Sequence, residues 1–202
     1  MKKLVLLKNI LAWTVAFIWL VPFISLLFAS IRPFEETRYG WWNFSEFNPT
    51  LKQYATALSS LGRSIVNTIV ITLPGTILPL IVAAMAAYVF ARFSFPVKNL
   101  LFLFNVICMI LPVQLVMVPL FFIMKELSIL NSYFGIILVH TVFGLPWLTF
   151  FLRNFFMAMP RDLEEASQVD GCNTFQTFSK VVLPIMLPAI AACAVIQAAG
   201  IW

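Results

Sequence analysis

Five long apolar stretches, separated by short polar ones, organise this chain. They run from about Ile10 to Ile31, Ser64 to Phe90, Asn99 to Met124, Tyr133 to Phe151 and Leu183 to Trp202. Each is close to or above the roughly 20 apolar residues that a helix needs to cross a bilayer. Proline and glycine fall inside them, among others Pro74, Gly75 and Pro79 in the second, Pro112 and Pro119 in the third and Gly144-Leu145-Pro146 in the fourth. The expected fold is therefore all-α, a polytopic transmembrane helical bundle forming one domain over residues 1–202. A mixed loop from Arg32 to Arg63 holds Pro33, Glu35, Glu36, Trp41 and Trp42, and its aromatics suit a position along the membrane surface. Within it, Tyr54 to Leu61 reads as a short surface helix.

The longest polar stretch apart from that loop runs from Met159 to Pro184 and concentrates charge: Arg161, Asp162, Glu164, Glu165, Asp170 and Lys180. Pro160 can open a helix, because its missing N–H is an orphan donor there anyway. Asp162, Glu164 and Glu165 then meet the positive end of the helix dipole. Asp170-Gly171 is a stop, since glycine tolerates the left-handed conformation that ends many helices. Thr174 is expected to cap a second short helix, and Pro184 to mark it off from the apolar run beyond. The reading is a helix–turn–helix element outside the bilayer, between two membrane segments.

Composition narrows the class. The chain is 62% hydrophobic and 10% charged, with a mean hydropathy of +0.98, whereas a soluble domain is about a quarter charged. The net charge of +5 comes from basic residues scattered between apolar runs, so no nucleic-acid footprint is expected. No phosphate-cradling glycine loop is present. Cys108, Cys172 and Cys193 have no metal or disulfide spacing. Lys2, Lys3 and Lys8 precede a run long enough to span, which reads as an uncleaved first membrane helix. With the N-terminus in the cytoplasm, Arg92, Lys98, Arg153, Arg161 and Lys180 also fall inside, and the short turn near Lys125 falls outside.

No Asp, Glu, Lys or Arg sits near the middle of any span, which disfavours an ion-coupled transporter. His140, a lone histidine, is more often a hydrogen-bonding partner between helices than a proton relay. No catalytic constellation, cofactor site or metal site is expected. The polar residues left in the spans include Asn67, Asn105, Gln114 and Gln197. They serve either helix packing or a solute path. Asn105, Gln114 and Gln197 are the path candidates. Gln114 leads, because Pro112 and Pro119 flank it and kinked backbone in a membrane lines cavities.

One pattern in the polar stretch carries a resemblance. Glu165-Ala166-Ser167, then Gly171, then Val181-Val182-Leu183-Pro184 resembles the cytoplasmic loop signature of the membrane subunits of binding-protein-dependent ABC importers. Ser167 and Val181 stand where that pattern has Ala and Ile. The wider chain looks similar to sugar permeases of the maltose type. The resemblance implies that 159–184 is a coupling loop, in which Glu164, Glu165, Ala166, Ser167, Asp170, Gly171, Leu183 and Pro184 meet a partner ATPase. It implies a second homologous permease subunit, a pair of ATPases, an external solute-binding protein and a sugar as solute. It implies no catalysis by this chain, with ATP bound only by the partner. It also implies a sixth helix, so the chain reads as incomplete at its C-terminus. The alternatives are a glycerol-phosphate, amino-acid or polyamine solute, or a non-transporting remnant or scaffold.

Overall fold

The structure is a computed structural model describing residues 2–38, 40–43 and 47–202, with the side chain of Lys2 outside the described atoms. Among the described residues every regular element is helical: α1 (Lys2–Ser30), α2 (Phe34–Thr37), α3 (Lys52–Arg92), α4 (Lys98–Ile110), α5 (Val113–Glu126), α6 (Tyr133–Ala158), α7 (Asp162–Val169), α8 (Thr174–Thr177), a π-helical segment (Phe178–Val182) and α9 (Leu183–Ile201). Among the described residues, four helical runs are long and apolar enough to cross a membrane, five when α4 and α5 count as one span. All five apolar stretches of the sequence are therefore present. The differences lie in where they start, stop and bend.

The third stretch differs most. Expected as one helix over Asn99–Met124, it is two helices bent by 97°. Proline lacks a donor and pushes the residue before it out of the helical region. Leu111 and Pro112 accordingly take extended conformations, with ψ of 124° and 127°. Pro119 lies inside α5 without ending it. The second stretch is longer than expected. Helix α3 has 41 residues, about twice what a bilayer requires. Tyr54–Leu61, expected as a separate surface helix, forms part of its polar beginning.

The fifth stretch corrects two expectations. Pro184 does not separate it from the loop, because one helical run continues from Thr174 to Ile201. The turn before Pro184 is π-helical, with the Leu183 N–H donating to Phe178 O, five residues back. The wider turn accommodates a residue that has no N–H of its own. The cap is Asn173, not Thr174. Asn173 Oδ1 accepts from the Gln176 N–H at 2.9 Å and Gln176 Oε1 accepts from the Asn173 N–H at 3.0 Å, a reciprocal capping box.

The chain divides into two compact units, Met1–Ile65 and Val66–Trp202. In the first, α1 presents exposed apolar side chains such as Leu7, Trp13, Phe17 and Trp19, as a lipid-facing helix does. Arg32 is buried, donating from Nη1 to Asn43 O at 2.6 Å with its guanidinium 4.7 Å from the centre of the Phe47 ring. In the second unit, Leu80, Ala83, Ala84, Ala87 and Tyr88 line one face of α3 at helical spacing. They share a core with Leu148, Leu152 and Phe156 of α6 and with Phe178, Val182 and Met186. The alanines let the helix backbones approach closely. This core ends at the turns that carry α7.

Candidate functional site

Helix α7 is split by its own periodicity. Residues three apart share a face, and Glu164 and Ser167 point inward while Glu165, Ala166 and Asp170 point outward. Glu164 is 6% exposed and has three polar neighbours. Arg92 Nε donates to its Oε1 at 2.6 Å, Tyr88 O–H donates to its Oε2 at 3.0 Å, and its backbone carbonyl accepts from Ser167 Oγ at 2.8 Å. Arg92 Nη2 also donates to Met159 O at 2.9 Å, at the end of α6. The Tyr88 ring packs 5.7 Å from Phe156 and 4.9 Å from Phe178. With the Ser167 proton committed to Glu164 O, the buried Thr177 hydroxyl, 2.8 Å away, donates to Ser167 Oγ. These bonds fix α7 on α3 and α8.

The end of α7 follows the sequence. Gly171 has φ +88°, its N–H donates to Gln168 O, and the next N–H, of Cys172, reaches back to Ser167 O. That is the Schellman arrangement, with glycine at the left-handed position. A Cβ at Gly171 would meet nothing within 4 Å. Glu165 and Ala166 of α7 are exposed, and so are two apolar side chains of the loop, Val169 of α7 at 88% and Phe175 of α8 at 68% exposure. Leu183 is half-buried and Pro184 exposed.

The three path candidates separate from one another. Gln197 is buried where α3, α6 and α9 meet. Its Oε1 accepts from Trp147 Nε1 at 2.9 Å, and its Nε2 lies 3.3 Å from both Gly75 O and His140 O. Gly75 is four residues before Pro79, whose missing N–H leaves that carbonyl without its helical donor. Gln197 supplies one. The absence of a Cβ at Gly144 makes the approach possible, since a Cβ there would lie 2.6 Å from Gln197 Nε2. Asn105 Nδ2 donates to Pro146 O at 3.0 Å, joining α4 to α6. Gln114 is exposed in the first turn of α5. His140, Trp147, Gln197 and Gly200 line an open cleft of about 300 Å³.

Sequence reasoning missed Arg92, Tyr88 and Trp147 as members of these sites. Arg92 was visible only as a basic residue beside a span. Its partner lies 72 positions away, and no local pattern announces such a pair.

Residues 80–202 match the family described as "Binding-protein-dependent transport system inner membrane component". A "Probable ABC transporter permease protein" of Pyrococcus horikoshii is 44% identical over 201 residues, which are 98% of this chain and 73% of that protein. The "Diacetylchitobiose uptake system permease protein" of Streptomyces coelicolor is 32% identical over 195 residues, 96% of this chain and 64% of that protein. The chain thus spans about two thirds to three quarters of the length of these relatives. A solved bacterial ABC transporter involved in the import of the acidic polysaccharide alginate has the same fold, with a TM-score of 0.81 at 24% identity over 98% of this chain and 70% of that one. Similarity over nearly the whole chain and a family match covering most of its second unit agree: the chain belongs to the inner-membrane permease components of binding-protein-dependent ABC transport systems.

Proposed function

We propose that this chain is one of two permease subunits that form the pathway of an ATP-driven sugar importer, and that the outer face of α7–α8 is its contact with the ATPase. The observation that carries the coupling reading is the exposure of the apolar side chains Val169 and Phe175 on a polar element outside the apolar runs. Exposed apolar side chains on such an element suit a protein contact. Glu165 on the same face can meet a basic group of the partner. The inward residues of the loop, Glu164 and Ser167, act on the loop itself. Asp170 and Gly171 shape its turn, and Leu183 and Pro184 begin the helix that returns to the bilayer. A second permease subunit, an ATPase pair and an external solute-binding protein complete the assembly. The sugar reading rests on the saccharide named for the Streptomyces relative and on the maltose-type resemblance. Gln114 and the cleft of His140, Trp147 and Gln197 suit a path for such a solute, which needs amides and aromatic faces together. Asn105 contributes from α4.

Two substitutions test the contact. Gly171→Asp places a side chain where the chain itself leaves open space, at a left-handed position where a Cβ costs about 1–2 kcal/mol. Glu165→Lys reverses an exposed charge, and breaking a pair at a desolvated interface costs about 2–5 kcal/mol. Both variants are expected to insert normally and to capture less ATPase in a pull-down normalised to permease, with uptake falling in parallel. Normal capture and uptake in both would refute the assignment.

A further inference from the structure

The Arg92–Glu164 pair joins two elements that the chain separates by three apolar helices. Arg92 ends α3, and Glu164 lies in the first turns of α7. Both side chains are 8% exposed. Each carboxylate oxygen has its own donor, Arg92 Nε on one and Tyr88 O–H on the other. Two bonds to one planar group fix its orientation as well as its distance. The remaining arm of Arg92 reaches Met159 O, where α6 stops. One guanidinium therefore holds the end of α3, the end of α6 and the start of α7. A contact made only of apolar side chains resists separation but allows sliding. This one also resists rotation of α7 about its own axis.

We infer that Arg92, Tyr88 and Glu164 form a strap that makes α7 and the end of α3 one rigid piece. A displacement of the outer face of α7 is then delivered to a membrane span that is remote from it in sequence. The inference rests on the proposed contact between that face and an ATPase. It assigns Glu164 a role opposite to that of its neighbour Glu165. Glu165 faces a partner, whereas Glu164 faces the bundle and transmits. Arg92 and Glu164 are positioning residues.

The test uses the full chain in lipid nanodiscs, with Glu164→Gln, Arg92→Gln and the exchanged pair Arg92→Glu/Glu164→Arg. Gln keeps the size of Glu164 and removes its charge. Breaking one side of a buried ion pair leaves the other charge uncompensated, so the α7 amides should exchange with deuterium at least about tenfold faster in both single variants. Amides in the middles of α6 and α9 should exchange as in the wild type. In the exchanged pair, a carboxylate at position 92 stands one turn from Tyr88, and protection should partly return. The second readout is radiolabelled sugar imported per ATP hydrolysed, measured after reconstitution of the same variants into sealed proteoliposomes with the ATPase that co-purifies with the wild-type chain. It should fall severalfold in the single variants with ATPase capture unchanged, and recover in the exchanged pair. A role confined to folding would lower the amount of assembled transporter and leave that ratio alone. Unchanged exchange in α7 would overturn the strap. Faster exchange with an unchanged ratio would overturn transmission. A wild-type chain that captures no ATPase would overturn the importer reading itself, and the inference with it.

Discussion

Ser167 stands where the resembled pattern has alanine, and the hydroxyl has a use that its size does not reveal. It donates to Glu164 O and accepts from Thr177, and both side chains are buried. Removing Ser167 strands the buried Thr177 hydroxyl, which costs about 1–3 kcal/mol, and removing Thr177 forfeits one bond to Ser167, whereas replacing both by apolar groups comes closer to neutral. Ser167→Ala should therefore lower the thermal midpoint of the purified chain, as should Thr177→Val. The double variant should be more stable than the sum of the two losses implies. Strict additivity across that cycle would remove the hydroxyl pair as an energetic unit. Gly171 was legible in the sequence because its demand is local, a left-handed residue after a short helix. Ser167 and Glu164 were not, because each is defined by a partner on another element.

At the scale of the element, the prolines show how far local rules reach. Their positions were plain in the sequence, yet Pro112 ends a helix while Pro74 and Pro79 sit inside one. For Pro79 the missing donor is replaced from another helix, by the Gln197 amide at Gly75 O. In a membrane, a freed carbonyl is satisfied by a neighbouring helix rather than by water. The fold class and the five apolar stretches followed from length and composition alone. The 97° bend at Leu111–Pro112 and the continuous run through Pro184 did not, because both depend on which tertiary partners and turn widths are at hand. A double-mutant cycle tests the Gln197 account. Gln197→Leu should destabilise the helix packing by about 1 kcal/mol, within the range of interhelical bonds in membranes. Pro79→Ala gives Gly75 O a donor of its own, so the same Gln197→Leu change should cost less in that background. An equal cost in both backgrounds would mean that the Gly75 carbonyl does not depend on the amide.

At the scale of the molecule, one contact decides how often the chain crosses the bilayer. The bent pair α4–α5 could be a broken span or a loop that re-enters on the side it left. The ion pair of Arg92 with Glu164 chooses between them. From Arg92 the chain passes through α4–α5 and then α6 before it reaches Glu164. Helix α6 has 26 residues and is long and apolar enough to cross. If α4–α5 returned to its starting side, the crossing by α6 would leave Glu164 on the opposite face from Arg92, about 30 Å of hydrocarbon away. A bond of 2.6 Å is incompatible with that, so α4–α5 crosses. The turn at Leu127 then lies on one face of the membrane, and both Ser94 and Cys172 lie on the other. The distribution of basic residues gives the expected faces: Arg92, Lys98, Arg161 and Lys180 share the side of Ser94, while Lys125 lies near Leu127, and the side richer in Lys and Arg is expected to be the cytoplasmic one. In a background with the three native cysteines replaced, Leu127→Cys should react with a membrane-impermeant thiol reagent in intact cells. Ser94→Cys should react only in inverted vesicles or after permeabilisation, and so should a cysteine restored at position 172. Labelling of positions 94 and 127 from the same face would make α4–α5 re-entrant and would contradict the Arg92–Glu164 contact on which the crossing and the strap both depend.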